Sequence, residues 1–425
     1  MLAFALVWSA CRTALAAADT PRLRVVIETD AGGDPDDEQS LVRFFLYANE
    51  WDVEGIIANR LRARDGENRN PERTGLGIVR RLLNAYGECW PQLVRHDERY
   101  PGKSVLWERT VSGDAASEAG VNLLLNALER DDPRPLWYAD WGTDAGAATN
   151  TLRRLLDRLH QERDPATYAR LKSRLRLSSA DKFGPHTTEH WPPFPLWVDT
   201  FRPERQGRRW YHRFSALTAT AGGFDLVRDV LQGHGPLGAL YPTNTTHWAK
   251  EGDSATFLYW VPNGLNVPDQ PTWGGWPGRY GPNETLPGRP YFWANQEDEW
   301  EGTTHRDATL ARWAAALQND FRARLDWCVR SPAEANHPPR VQLDSESRIT
   351  LIPGDTLRIS AAGSSDPDGH PLQFRWEWYR EPGSYRGPLE WTNVAPEVIR
   401  FRAPAVDTVE TLHFVVSVTD AGDPP

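Results

Sequence analysis

The sequence predicts an α/β domain with an open, mostly parallel sheet flanked by helices, followed by a small all-β sandwich of immunoglobulin-like type. Between residues 22 and 157, strand-like and helix-like segments alternate, an order that favours a parallel sheet covered by helices. After residue 340, short segments alternate polar and apolar residues between turns, which is typical of a β-sandwich. The length of 425 residues also exceeds what one hydrophobic core usually organises.

The first α/β elements follow from short residue patterns. The segment "RLRVVIET" (22–29) is rich in β-branched residues and predicts a buried strand. The segment "DDEQSLVRFFLYANE" (36–50) has apolar residues at helical spacing and predicts a helix. The same criteria predict a second strand in "DVEGIIAN" (52–59) and a second helix in "PERTGLGIVRRLLNAYG" (71–87).

The remaining elements continue the alternation. We predict a helix in "SEAGVNLLLNALERD" (117–131), a strand in "RPLWYAD" (134–140) and a helix in "TDAGAATNTLRRLLDRLH" (143–160). Residues 185–302 are rich in Trp, Pro and Gly, which indicates long loops over the carboxyl edge of the sheet. A long helix in "HRDATLARWAAALQNDFRARLDWCV" (305–329) is expected to close the domain.

Domain boundaries are predicted from changes in composition. Residues 1–18 have an apolar core followed by small residues, which predicts an export signal and a secreted or periplasmic protein. The α/β domain is expected at 22–330, a linker at 331–339 and the immunoglobulin-like module at 340–425. The sequence stops at "DAGDPP", so we expect the final strand of that module to be missing.

Composition and charge narrow the classes of partner. The net charge of −10 argues against nucleic acid or an anionic membrane, and no segment after the leader has the roughly 20 apolar residues needed to span a bilayer. The 20 Trp residues indicate either sugar binding or a compositional bias. Cys89 and Cys328 have no metal-binding spacing, and whether they pair is left open, as is a homo-oligomer.

The most unusual segment is "ETDAGGDPDDEQSL" (28–41), which carries five carboxylates from Glu28 to Asp37. It follows a predicted strand and precedes a helix, at the sheet edge where ligands bind. Some of these acids are expected to stabilise the helix N-terminus, but that role does not explain Asp30. A calcium ion takes six to eight oxygens and would offset the repulsion. We therefore predict a Ca²⁺ site.

This segment resembles the opening signature of the nucleoside hydrolases of the inosine-uridine-preferring type, Asp-x-Asp-x-Gly-x-Asp-Asp. Asp30 corresponds to the second acid, and Asp36 and Asp37 correspond to the closing pair. The segments "EGDSATFLYWVPNGL" and "WGGWPGRY" resemble those of bacterial nucleoside hydrolase-like, or cellulose-binding, proteins. Members of that subfamily carry a C-terminal immunoglobulin-like module, so the resemblance covers nearly the whole chain.

The resemblance implies a metal site. It implies that Asp30, Asp37, the backbone carbonyl of Trp141 (or of Asp140) and Asp253 bind the calcium ion. Asp30 would also act as the general base. A simple helix N-cap is the alternative role for Asp253.

The resemblance also implies substrate contacts. Asp36 and Asn59 would contact sugar hydroxyls, with a strand-end cap as the alternative for Asn59. The tryptophans of "PTWGGWPGRYGP", Trp273 and Trp276, are candidate platforms for a sugar ring. A loop whose tryptophans only cover the core is the alternative.

The family pattern does not supply the general acid, because the chain departs from it at the position before the late Asp. Many nucleoside hydrolases have a His directly before the late Asp, whereas this chain has Gly252. Glu251 is therefore the first candidate for the acid, with an ordinary helix-start Glu as the alternative. Further candidates are His186, His190, His247 and His305.

Two function classes follow. The first is an exported, calcium-dependent hydrolase in which metal-activated water attacks an oxocarbenium-like centre of a nucleoside, oligosaccharide or polysaccharide. The second is a non-catalytic carbohydrate-binding or cellulose-binding protein, with calcium as a structural ion. In the C-terminal module, "GSSDPDGH" resembles calcium-site loops, although Asp-rich and Gly-rich segments are often only turns.

Overall fold

The structure is a computed structural model, and it describes residues 4–10, 21–142, 150–179, 194–200, 210–243, 249–284 and 291–425. The strands are β1 Phe4–Ala10, β2 Leu23–Thr29, β3 Trp51–Ala58, β4 Thr110–Ser112, β5 Leu136–Asp140, β6 Leu175–Ser179, β7 Trp197–Asp199, β8 Gly281–Pro282, β9 Tyr291–Trp293, β10 Asp298–Trp300, β11 Thr303–His305, β12 Arg348–Leu351, β13 Thr356–Ser360, β14 Gln373–Tyr379, β15 Trp391–Ala395, β16 Val398–Arg402 and β17 Thr411–Thr419. The helices are α1 Asp36–Leu46, α2 Gly75–His96, α3 Lys103–Glu108, α4 Ala119–Glu129, α5 Thr151–Glu162, α6 Pro165–Ser173, α7 Trp210–Thr218, α8 Gly235–Ala239, α9 Ser254–Leu258, α10 Ala308–Ala311 and α11 Ala314–Asp326. Within these residues, no helix has the length and apolar character that crossing a membrane requires.

The predicted parallel sheet is confirmed. In the described part of the chain it has eight strands in the order β4-β3-β2-β5-β6-β7-β9-β8. Neighbouring strands run parallel except β8 and β9. Strand β2 lies between β3 and β5, so the chain moves outward in both directions from it. The carboxyl end of β2 is therefore a topological switch point, the place where open α/β sheets bind ligands.

The sheet is buried on both faces, as its uninterrupted apolar strands predict. On β2, Val25 and Ile27 point into one hydrophobic core, while Val26 points into a second core on the opposite face. Helix α1 contributes Phe44 and Phe45 to the first core. The second core is filled largely by leucines of α4 and α5.

The helix predicted at 305–329 is interrupted. Residues Thr303–His305 form a strand, and the helical part is divided into α10 and α11. The helix predicted at 71–87 begins four residues later than expected, where the Thr74 side chain accepts a hydrogen bond from the Gly77 amide, and it continues to His96. The helix therefore begins after its capping residue, Thr74, and not at Pro71.

The C-terminal module contains two layers around its own core, and their strands pair antiparallel except for β1 and β17. One layer has the order β12-β1-β17-β14 and the other β13-β16-β15. At the start of the module, Arg340 forms an isolated bridge with Ser365. Residues Phe4–Ala10 lie between β12 and β17, parallel to β17; the export signal stays a prediction.

The two regions pack directly against each other. Trp327, just after α11, stacks on the rings of both His96 and His337, with centroids 5.2 Å apart in each case. Its indole N–H donates to the carbonyl of Asn336. The predicted linker is therefore held against the α/β domain by aromatic contacts.

The two described cysteines, Cys89 and Cys328, are free thiols in the structure, and both are buried. Their side chains are hydrogen-bonded to each other, and this bond lowers the pKa of Cys89 and raises that of Cys328. Cys89 belongs to α2, and Cys328 follows α11.

Candidate functional site

The acidic turn lies at the carboxyl end of β2. Gly32 has a φ of +101°, a conformation that L side chains rarely adopt, and this lets the chain turn sharply. The Thr29 hydroxyl donates to Asp37 and accepts from the Ala31 amide. Asp36 and Asp37 then occupy the first turn of α1.

Three carboxylates from this turn and from a distant segment come together. Asp36, Asp37 and Asp253 each place an oxygen within 4.8 Å of the others. All three are buried, with exposures of 8%, 2% and 3%. Burial, followed by the charges of the neighbouring acids, raises the pKa of Asp36 and of Asp37 well above the usual range. The group is therefore electrostatically costly unless a cation joins it.

Asp36 has an oxygen available for such a cation. Its Oδ1 is buried and has no hydrogen-bond partner within the described residues. Asp253 precedes α9, but its side chain makes no capping hydrogen bond to that helix. The N-cap alternative therefore does not account for Asp253.

Gly252 is required by this arrangement. A Cβ at this position would lie 2.3 Å from Oδ2 of Asp36, far inside van der Waals contact. A histidine here, as in the resembling enzymes, would displace the Asp36 carboxylate.

Glu251, the predicted general acid, is buried and paired with Arg43. Its side chain is fully buried, and its two oxygens accept from the Arg43 guanidinium at 2.6 and 3.0 Å. The hydroxyls of Tyr241 and Ser254 donate to the same carboxylate. Its φ of +39° is unusual for a residue other than glycine. Both carboxylate oxygens of Glu251 are used in these hydrogen bonds, which fix the segment preceding Asp253. The pairing therefore argues against Glu251 as the general acid.

Asp30 lies beside the three carboxylates but outside the group of mutual contacts. Its Oδ2 accepts from the Arg60 guanidinium at 2.8 Å, and Nε of Arg60 donates to its carbonyl, also at 2.8 Å. The Asp30 charge still contributes to the raised pKa of Asp36 and Asp37. Asp36, which was predicted as a sugar contact, thus joins the group of mutual contacts, and Asp30 as a metal ligand stays a prediction.

Lys250 is a second cation that the sequence pattern did not indicate. Its ammonium forms an ion pair with Asp34 and lies 3.5 Å from Oδ2 of Asp36. Burial lowers the pKa of Lys250, and nearby acids oppose the shift. Arg60 and Lys250 each offset part of the negative charge, so a metal need not neutralise all of it.

Asn59 and Glu28 lie beside the acidic turn and are hydrogen-bonded to each other. The Asn59 amide donates to Glu28 at 3.0 Å and to the Gly142 carbonyl at 2.8 Å, while its Oδ1 is buried without a partner within the described residues. Glu28 also accepts from the backbone and hydroxyl of Thr151 at the start of α5 and from Tyr138. Burial raises the pKa of Glu28 to about 6. Glu28 thus joins the strand to α5 and does not belong to the carboxylate group.

Trp141 is buried at the end of β5 and connects the two halves of the site. Its amide donates to the Glu28 carbonyl at 2.8 Å, and its indole donates to the Thr256 hydroxyl of α9 at 2.7 Å. Its backbone carbonyl as a metal ligand stays a prediction.

The two tryptophans predicted as sugar platforms make packing contacts within the protein. Trp276 is buried in the first core. Trp273 packs edge-on against His413, at 5.2 Å, and under the guanidinium of Arg348. Both partners belong to the C-terminal module, so the core-covering alternative fits these tryptophans better than a sugar platform. Of the histidine candidates, His305 is exposed and close to Asp307, whereas His186, His190 and His247 lie outside the described residues.

Comparison with known proteins identifies the family of the chain. Residues 24–280 match the family model described as "Cellulose-binding Sde182, nucleoside hydrolase-like domain". The chain belongs to this family. Residues 356–425 match the model described as "Cellulose-binding protein Sde0182, C-terminal domain", which confirms the resemblance inferred from the motifs.

One solved structure is similar over most of both chains. It is a nucleoside hydrolase-related hypothetical protein from Saccharophagus degradans that is associated with carbohydrate metabolism. The sequences are 28% identical, the TM-score is 0.70, and the match covers 95% of this chain and 97% of that one. A search among curated proteins finds no match. The nucleoside hydrolase-like fold is therefore shown for this member of the Sde182 family.

Proposed function

We propose that this family member is an exported, calcium-dependent hydrolase of N-glycosidic or glycosidic bonds. The observation that carries the proposal is the meeting of three buried carboxylates, from Asp36, Asp37 and Asp253, at the carboxyl edge of the sheet. The family description supports a carbohydrate ligand, so an oligosaccharide or polysaccharide is the favoured substrate and a nucleoside the next candidate.

The carboxylate group fits a hard divalent cation. The buried Oδ1 of Asp36, which has no hydrogen-bond partner among the described residues, is a ready ligand atom. Burial and mutual repulsion would otherwise favour protonation of Asp36 and Asp37. We assign these two residues and Asp253 as ligands, with the Trp141 carbonyl as a further candidate. A bound Ca²⁺ would supply a coordinated water of lowered pKa.

Asp30 is the proposed general base. Arg60 fixes its Oδ2 and its backbone carbonyl, so the carboxylate is held in one orientation beside the ligands. A water attacking an oxocarbenium-like carbon would pass its proton to this carboxylate. Oδ1 of Asn59, which is buried without a hydrogen-bond partner among the described residues, would accept a hydrogen bond from a sugar hydroxyl.

A non-catalytic carbohydrate-binding protein with a structural calcium ion is the second candidate. Two observations favour it. Gly252 occupies the position of the family histidine, and Glu251 is bound on both oxygens to Arg43. Neither residue can therefore protonate a leaving group.

The experiment is a screen of nucleosides and of cellulose-derived and other oligosaccharides, with Ca²⁺ or with a chelator. The hydrolase proposal expects released reducing sugar or base that requires Ca²⁺ and is lost in Asp30→Asn. Because this variant leaves Arg60 without its counter-charge, circular dichroism at the assay temperature must show that it is still folded. Asp131→Asn, a change at an exposed acid in the loop between α4 and β5, at the opposite edge of the sheet, is the matched control. Retention on polysaccharide without any bond cleavage would support the binding protein instead. If a chelator abolishes neither the cleavage nor the retention, the calcium site is refuted.

A further inference from the structure

A second cluster of ligand-type side chains lies in the C-terminal module, outside the site described above. The turn between β13 and β14 contains Asp366, Asp368 and His370. Each of the three places a ligand atom within 4.8 Å of the others. The cluster differs from the Asp36 site because one of its ligand atoms is an imidazole nitrogen.

Asp366 is the buried member of the cluster. Its side chain is only 1% exposed. Its Oδ1 accepts the backbone amides of Asp368 at 3.0 Å and of His370 at 2.8 Å, which shapes the turn. Its Oδ2 is buried and has no hydrogen-bond partner in the parts of the chain that the structure describes. A buried carboxylate oxygen without a partner is costly, and a bound cation would satisfy it.

His370 has a second buried polar atom that lacks a hydrogen-bond partner among the described residues. Its Nδ1 is also buried without a hydrogen-bond partner among the described residues, 3.6 Å from Oδ1 of Asp366. That distance is too long for a hydrogen bond between the two. One ion placed between them would use a lone pair from each.

Asp368 completes the set and opens it to solvent. Its carboxylate accepts the backbone amide of His337 at 2.7 Å and faces the Nδ1 of that residue at 2.9 Å. Asp368 and His370 line a cavity of about 900 Å³ that is also bordered by His96 and Asn336. The cavity gives an ion a path of entry and gives room for the waters that would complete its coordination.

We propose that Asp366, Asp368 and His370 bind one divalent transition-metal ion of the Zn²⁺ type. Calcium takes oxygen ligands, whereas zinc and similar ions combine imidazole with carboxylate. Three protein ligands with a remaining position for water are a usual arrangement for such ions. Because Asp368 also holds His337, the ion would stabilise the turn against which the segment between the two regions packs.

The test is calorimetric titration of the metal-free, full-length protein with Zn²⁺, in an Asp253→Asn background that removes the other proposed site. We expect one bound Zn²⁺, with affinity lowered at least about ten-fold in Asp366→Asn and in His370→Gln. His370→Gln is the decisive variant, because Nδ1 of His370 makes no hydrogen bond to the described residues and its replacement therefore breaks none there.

Two exposed residues serve as matched controls, and His305→Gln and Asp407→Asn are expected to keep the affinity of the background protein. Substitution with Co²⁺ gives a second readout, because loss of an imidazole ligand changes the visible absorption of the bound ion. Unchanged Zn²⁺ affinity in both cluster variants would overturn the proposal. Binding of Ca²⁺ at this turn that does not depend on His370 would overturn it as well.

Discussion

Replacing Gly252 with alanine is expected to weaken calcium binding while leaving the fold intact. The new Cβ would lie 2.3 Å from Oδ2 of Asp36, so the carboxylate must move by roughly 1 Å to reach ordinary contact. Displacement of a ligand or of its support typically lowers metal affinity by about 10- to 100-fold, which corresponds to about 1.4–2.7 kcal/mol. Calorimetric titration with Ca²⁺ measures the loss directly.

The matched control is Gly102→Ala. Gly102 has a φ of −64°, and the nearest atoms to an added Cβ are 4.0 Å away, so affinity and melting temperature should stay unchanged. Melting of Gly252→Ala in chelator should also match that of the parent, since the predicted defect lies in the ion site. If Gly252→Ala binds Ca²⁺ as tightly as the parent while Asp253→Asn does not, Asp36 is not a ligand and the reasoning is wrong.

Three further predictions concern residues around the site and the junction. Glu251→Gln should lower the free energy of unfolding by about 3–5 kcal/mol, because it leaves the fully buried Arg43 without its counter-charge; urea denaturation measures this, and lost activity with unchanged stability would restore Glu251 as a catalytic acid. Burial lowers the pKa of His413 to about 4, so between pH 6.5 and 4 the unfolded state takes up a proton that the folded state does not. Stability should therefore decrease as the pH falls through this range, by up to about 3 kcal/mol, and His413→Gln should reduce that decrease. Trp273→Ala should lower the melting temperature but not the affinity for oligosaccharides, because Trp273 packs against His413; weaker sugar binding at unchanged stability would contradict this.

Conservative variants separate these effects from general damage. Tyr241→Phe removes one hydrogen bond to Glu251 and should cost only about 1 kcal/mol. His305→Gln removes an exposed histidine and should leave the acid dependence of stability unchanged. A similar flattening of the pH profile in His305→Gln and His413→Gln would show that the buried histidine is not responsible.

The sequence predicts the framework of this site better than its electrostatics. The alternating strand and helix patterns predict that the acidic turn lies at a sheet edge. The resemblance to the family motif predicts that Asp253 lies close to Asp37, as it does in the structure. The basic residues that pair with these acids, Arg60 and Lys250, could not be predicted. Both have long, flexible side chains, and the sequence pattern does not indicate the direction in which such a side chain points. The ion pair of Glu251 was equally unpredictable, because no residue near Glu251 in the sequence indicates that Arg43 is its partner.

Aromatic content was also ambiguous at the level of sequence. Trp273 and Trp276 lie in a Pro-rich and Gly-rich loop, a composition that fits a binding cleft as well as a packing surface. Whether such a ring faces solvent depends on what packs above it, and here the C-terminal module covers Trp273. A contact between two regions of the chain cannot be recognised from the pattern of either region alone.

The pairing of Arg43 with Glu251 has a consequence for biogenesis. The two residues are 208 positions apart, and the segment they anchor carries Lys250 and Asp253 to the acidic turn. During synthesis from the N-terminus, the turn emerges long before either of these partners exists. The contacts that relieve its repulsion are of high sequence separation and are expected to form late in folding. Until then, the most acidic corner of the domain would remain hydrated and open, and its closure would mark completion of the α/β fold.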